Sequence, residues 1–263
     1  MAQNDSCPEV KWCFCSELCI LYPSLLPTTI LALIIGLYTS KQISKLIFPT
    51  VWYYKLTFFM YGIMMTSAGI LHCIVGDSQN SEPHWLSTLR LILSVMDVGL
   101  TSNIAISFMF CGLCDLNVLN PKLTFTKILV LFTFLLIFIA WTVAIIDQWQ
   151  YAVKILYDYT VAICCFIYLI TQLLLKHKPG VLSPLFISGL CGFIGLTASV
   201  VFANDICTWE GPFWAQYFSG EFIWFILSDL SVYFLYRYVV QSQKQESDEK
   251  NYMKKHVSDD FKF

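Results

Sequence analysis

The sequence predicts an all-α fold: a bundle of seven membrane-spanning helices, N-terminus lumenal or extracellular and C-terminus cytosolic. Three observations lead there. Of the 263 residues, 57% are hydrophobic and only 13% are charged, whereas a soluble domain carries about 25% charged residues. The chain also contains seven apolar stretches, each near the length of about 20 residues that crosses a bilayer. Finally, Lys recurs in every second connection. So much apolar surface with so little polar surface excludes a soluble enzyme, a disordered chain and a secreted cysteine scaffold. A net charge of −2 offers nothing to nucleic acid.

The expected spans are Leu18–Tyr38, Val51–Val75, Leu86–Cys111, Leu123–Ile146, Tyr151–Leu175, Val181–Ala203 and Ala215–Val239. Lipid offers the backbone no hydrogen bonds, so these stretches must be helices. Period-two alternation is absent, which argues against a barrel. No internal repeat supports a transporter of the inverted-repeat kind. The division is then a cysteine-rich lumenal segment over 1–17, the bundle over 18–239 and a cytosolic tail over 240–263. The tail mixes Lys244, Lys250, Lys254, Lys255 and Lys262 with five acids, and reads as solvated and disordered.

Orientation follows from the basic residues of the short loops. Lys41 and Lys45 follow span one, Lys122 and Lys127 follow span three, and Lys176 and Lys178 follow span five. The loops Gly76–Trp85 and Asn204–Trp214 contain no Lys or Arg. No signal peptide precedes the first apolar run. The compartment expected is the endoplasmic reticulum, the Golgi or the plasma membrane.

Six of the eleven cysteines, Cys7, Cys13, Cys15, Cys19, Cys73 and Cys207, fall on the oxidising side of this topology. They can form one to three disulfides, whose pairing the sequence does not give. Cys111 and Cys114 make a Cys-x-x-Cys at the cytosolic end of span three. Metal or redox chemistry is one reading, and small helix-end residues are the other. Cys164, Cys165 and Cys191 read as packing residues.

Ionisable residues inside the spans carry the functional signal, because each costs about 2.5–3.5 kcal/mol at the middle of a helix. His72 lies near the lumenal end of span two, with Ser67 and Thr66 deeper. Asp97, Asp158 and Glu221 fall in the lumenal halves of spans three, five and seven, and Asp205 ends span six. Glu221, Phe225 and Asp229 recur at i, i+4, i+8 and share a helix face. A lumen-facing cluster of His72, Asp97, Asp158 and Glu221 is expected. The competing reading is hydrogen-bond glue between helices, worth about 0.6 kcal/mol per pair.

A resemblance bears on these residues. Glu9-Val10-Lys11-Trp12-Cys13, then Ser16-Glu17-Leu18 and Tyr22, resemble the start of the alkaline ceramidases. Asn204-Asp205-Ile206-Cys207, Trp209, Tyr217-Phe218 and Ile223-Trp224 resemble their last lumenal loop and span seven. Ser94-Val95-Met96-Asp97 and the exit near Asp115 look more like the transmembrane-8 and myomaker group. Both groups belong to the CREST superfamily of seven-span proteins. The resemblance implies a Ser and a His on span two, an Asp in the early spans and a His-x-x-x-His on span seven. Three His would hold zinc, whose bound water attacks a lipid carbonyl.

The implied match is broken. His72 fits the span-two His and Asp97 fits the Asp. Ser67 sits five residues before His72, where the family has four. Glu221 and Phe225 stand where the span-seven His pair would be, and only His72 of the four His lies within the membrane. Lys11 and Phe14 replace acids of the ceramidase calcium site. Three readings remain. The expected one is a CREST-like protein without zinc hydrolysis that binds membrane lipids, scaffolds protein partners in the membrane or remodels it, with no cofactor. The second is a divergent, metal-dependent lipid amide or ester hydrolase, with zinc on a rebuilt set of His72, Asp97 and Glu221, and Ser67 and Asp97 as catalytic groups. The third is a seven-helix receptor, which lacks the usual Asp-Arg-Tyr, Cys-Trp-x-Pro and Asn-Pro-x-x-Tyr sequences.

The orientation is open to a direct test at the sequon Asn4-Asp5-Ser6. Chains synthesised into microsomes should migrate faster after deglycosylation, and Asn4→Gln should remove that difference. Protease protection of the C-terminal tail instead of the N-terminal segment would reverse the assignment.

Overall fold

The computed structural model describes residues 11–13, 19–75, 84–149, 151–175, 177, 180–200 and 220–260. Seven helices dominate it: α1 (Leu25–Ile43), α2 (Val51–Ile70), α3 (His84–Asp115), α4 (Thr124–Ile146), α5 (Thr160–Leu174), α6 (Ser183–Val200) and α7 (Gly220–Asp260). Two π-helical segments adjoin them, Leu71–Val75 continuing α2 and Val153–Tyr159 leading into α5. A two-stranded antiparallel ribbon precedes α1, with β1 (Lys11–Cys13) paired to β2 (Cys19–Leu21).

Five helical stretches are long and apolar enough to cross a membrane: Val51–Val75, His84–Asp115, Thr124–Ile146, Ile155–Leu174 and Gly220–Gln245. The chain is therefore a multi-pass helical membrane protein. The faces it presents agree. On α4, Phe125, Ile128, Phe132, Leu135 and Ile139 are all more than half exposed. A soluble monomer rarely shows a contiguous apolar face of that kind, whereas acyl chains solvate it without cost. Residues buried inside the bundle include Tyr53, Tyr54, Phe58, Met65 and Tyr238.

Several expected boundaries move. Span one was placed from Leu18, but Cys19–Leu21 is a strand. Tyr22 takes a positive φ of 47° and Pro23 follows it, so the helix starts only at Leu25. Pro27 falls in the first turn, where its missing N–H has no partner to lose. The last residues of α1, Thr39-Ser40-Lys41-Gln42, are polar. α6 supplies a shorter apolar helix, Ser183–Ser199. α3 runs four residues beyond Cys111. The tail expected to be disordered is helical through Asp260. Its sequence from Gln241 to Asp260 contains no Gly or Pro and is rich in Lys, Gln and Glu, residues that lose little rotamer freedom in a helix.

α1 packs on α2, α2 on α3, α3 on α4 and α5, and α7 on both α6 and α1. α1 and α2 cross at backbone contact. A Cβ placed on Gly36 would lie 2.7 Å from the Cα and N of Gly62. Small residues let membrane helices approach to backbone contact where no hydrophobic effect drives them together. Polar side chains add to this. Ser102, fully buried, donates to the Leu156 carbonyl at 2.7 Å and accepts from the Trp141 indole at 3.1 Å. Ser40 reaches across to the Lys55 carbonyl at 3.1 Å.

The helices alternate in direction, so the bundle has two ends. The ribbon end holds β2, Leu71–Val75 and the beginnings of α3 and α7. Cys73 sits there as a buried free thiol, its Sγ 3.7 Å from the Tyr22 carbonyl oxygen, and not in a disulfide. The opposite end holds the start of α2 and the ends of α3 and α5. Cys111 and Cys114 are buried free thiols near it.

Gly36→Val should separate α1 from α2 and lower the detergent-solubilised protein's stability by about 1–3 kcal/mol, as overpacking does. A thermal unfolding midpoint unchanged from the parent would contradict the close crossing.

Candidate functional site

At the ribbon end a pocket of about 240 Å³ is lined by residues of seven helical segments, Trp141 of α4 and Ser199 of α6 among them. α2 contributes Met64, Met65 and Ala68, and the π-helical segment after it contributes His72. These four follow one another at the spacing of a single helix face. α3 adds Asp97 and Thr101, and α7 adds Glu221, Trp224 and Phe225. Tyr157 enters from the other π-helical segment. Short π-helical stretches are rare and occur often at functional sites. Both of those in the described residues border this one pocket.

The structure thus brings three of the expected residues, His72, Asp97 and Glu221, to one cavity. His72 Nε2 stands 3.7 Å from Asp97 Oδ2, and both side chains are partly exposed, at 32% and 20%. This is too long for a direct hydrogen bond, and close enough for an ion pair when the imidazole carries a proton. Thr101 fixes the neighbouring wall, its hydroxyl contacting the Asp97 carbonyl at 2.9 Å and the Met64 sulfur at 3.0 Å.

Two expected members stand elsewhere. Ser67 is buried, donates to the Ile63 carbonyl at 3.1 Å and does not line the pocket. The face that carries Met64, Ala68 and His72 turns it aside. Asp158 lies next to Tyr157 in the π-helical segment but is not among the lining residues. Asp205 and Cys207 fall outside the described residues.

A zinc ion needs three protein ligands at about 2.0–2.2 Å. Among the described residues, no three His, Cys, Asp or Glu side chains come close enough to hold a metal. His72 and Asp97 approach each other, but Glu221 lines the same pocket without completing a set. Among the described residues, His72, Asp97 and Glu221 do not form a zinc-ligand set.

The shared face of Glu221, Phe225 and Asp229 is present. Phe225 forms pocket wall, and Asp229 lies one turn below it, only 1% exposed. Tyr61, itself 3% exposed, donates its hydroxyl to Asp229 Oδ1 and stands 3.4 Å from the Ser228 hydroxyl. Asp229 Oδ2 is buried without a hydrogen-bond partner. The Tyr61–Asp229 pair joins α2 to α7 directly beneath the pocket floor. The sequence carried a signal for Tyr61, because Tyr54, Thr57 and Tyr61 mark a polar stripe at helical spacing on α2.

The lining chemistry is apolar with a few polar groups. Met, Ala, Val, Trp and Phe side chains make most of the wall, while His72, Asp97 and Glu221 supply acceptors, a donor and negative charge. Sites for small amphiphilic molecules are built this way. Comparison with protein-family models, with curated proteins and with solved structures yields no match.

Tyr61→Phe should leave both Asp229 oxygens without a donor in the bundle interior, at a cost of about 1–3 kcal/mol. Combining it with Asp229→Leu should recover much of that loss. A thermal-denaturation double-mutant cycle in detergent measures the coupling, and additive single effects would show that the pair does not interact.

Proposed function

We propose that the chain is a seven-span protein of the ceramidase-like CREST type, and that it holds a membrane lipid in the ribbon-end pocket without zinc hydrolysis. In the proposed topology α1 and α6 cross the membrane together with the five longer stretches. The pocket then lies beneath the lumenal or extracellular surface. The reading rests on one observation above all: His72, Asp97 and Glu221, from three separate helical segments, line a single cavity whose remaining wall is mostly apolar. Polar groups in a membrane are costly unless paired or used. Here they meet at one place, at a depth where a lipid's polar groups pass into its acyl chains.

The chemistry supports binding over turnover. The pocket has hydrogen-bond acceptors for a lipid hydroxyl or amide N–H and apolar surface for a chain. Among the described residues it shows no three-ligand metal set of the kind a zinc-bound water requires. A second reading, hydrolysis on a rebuilt metal site, draws on the 3.7 Å approach of His72 to Asp97. In that reading these two groups would supply two of the ion's ligands.

Ultraviolet crosslinking with a diazirine–alkyne ceramide separates the two. The purified chain should be labelled, excess unlabelled ceramide should compete, and Glu221→Leu or His72→Ala should reduce labelling about fivefold, the scale of one hydrogen bond lost. Elemental analysis of the same preparation should find no stoichiometric zinc. About one zinc per chain, lost with His72→Ala, would establish the hydrolase reading. Labelling that neither variant changes would remove the pocket from lipid binding altogether.

A further inference from the structure

The end of the bundle away from the ribbon contains a second and more polar pocket, of about 280 Å³. It lies where α2 begins, α3 and α5 end and α7 passes. It is organised around Asp115, which the sequence singled out only through its likeness to the exit of span three. Thr50 donates to Asp115 Oδ1 at 2.7 Å, and Tyr54 and Gln172 donate to Oδ2 at 2.7 and 3.2 Å. Tyr238 donates to the Gln172 side-chain oxygen at 2.7 Å. His177 Nε2 lies 2.9 Å from the Gln172 carbonyl oxygen and 3.1 Å from the Tyr238 hydroxyl. Thr50, Tyr54, Gln172 and Tyr238 are each at most 2% exposed.

We propose that this pocket binds a neutral polyol, a group bearing adjacent hydroxyls, carried on a lipid headgroup or free in the aqueous phase. Charge narrows the choice first. None of the described lining residues is Lys or Arg, so among them no fixed cation stands ready for a phosphate. No three metal-ligating side chains converge in the described residues. What the wall does present is hydrogen-bonding capacity of both signs, in the amides of Asn117 and Gln243 and the hydroxyl of Ser242, set around the Asp115 carboxylate. A hydroxyl both donates and accepts, and amides and hydroxyls answer it in kind.

Shape and place agree. Phe48 and Tyr54, with ring centroids 6.0 Å apart, close one side of the pocket with buried aromatic rings. The buried hydrogen bonds behind Asp115 hold the wall in position before any ligand arrives, which lowers the ordering cost of binding. The pocket stands at the helix ends, where lipid headgroups and water meet. It is separate from the ribbon-end pocket, so neither proposal depends on the other.

The test uses the full-length chain in detergent. Native mass spectrometry should show monogalactosyl-diacylglycerol retained in preference to phosphatidylcholine. Gln243→Leu, at the rim, should weaken that preference about fivefold without moving the thermal unfolding midpoint. Asp115→Asn, a nearly isosteric change, should weaken it as well. If free galactose raises the unfolding midpoint and displaces the galactolipid, the ligand is a soluble polyol. If it does neither while the galactolipid is retained, the ligand is a headgroup. Equal retention of galactolipid and phosphatidylcholine with no response to galactose would overturn the proposal, as would preference for the ammonium headgroup of phosphatidylethanolamine.

Discussion

Three helices are joined at one carboxylate. Asp115 ends α3 and takes hydrogen bonds from the start of α2 and from the last turn of α5. In a bilayer, apolar faces have no preference for each other over lipid, so helix positions are set by close packing and by polar contacts of this kind. Because α2 and α3 run the length of the bundle, their register at this end determines what meets at the other. The placement of His72 beside Asp97 is that register read out at the ribbon end. Gly36 against Gly62 brings in α1, and Tyr61 with Asp229 brings in α7.

Much of the architecture is legible in the sequence because membrane helices obey a simple length rule. The stretches Val51–Val75 and Leu123–Ile146 nearly coincide with observed helices, since their composition leaves no alternative in lipid. The errors lie where length and hydropathy carry no information. Nothing in the apolar run from Leu18 marks Cys19–Leu21 as a strand, because strand pairing depends on the non-local partner Lys11–Cys13. The tail from Gln241 looked disordered by its mixed charge, although the same residues are good helix formers.

The candidate site was legible in its titratable members and hidden in the others. His72, Asp97 and Glu221 stand out in apolar helices by their cost, so the sequence names them. Met64, Tyr157 and Trp224 are ordinary membrane residues and become pocket wall only through packing. Ser67 lies off the pocket for a geometric reason: next to Ala68 in regular helix, it points about 100° away from the face that carries Met64, Ala68 and His72. The network about Asp115 escaped for another reason. Thr50, Tyr54, Gln172 and Tyr238 are neutral and scattered along the chain, and only the bundle makes them neighbours.

The π-helical stretch Leu71–Val75 has a further consequence for how this surface can change over generations. A π turn holds one residue more than an α turn between bonded groups. Losing a single residue there would let the helix revert to regular winding with the flanking turns kept nearly in phase, so the change is confined to that turn. The side chains that Leu71–Val75 presents would be re-aimed while the membrane crossing, its length and its composition stayed almost as they are. Chemistry at this end of the bundle can therefore be gained or silenced by a one-codon deletion or insertion, a kind of change that leaves architecture untouched.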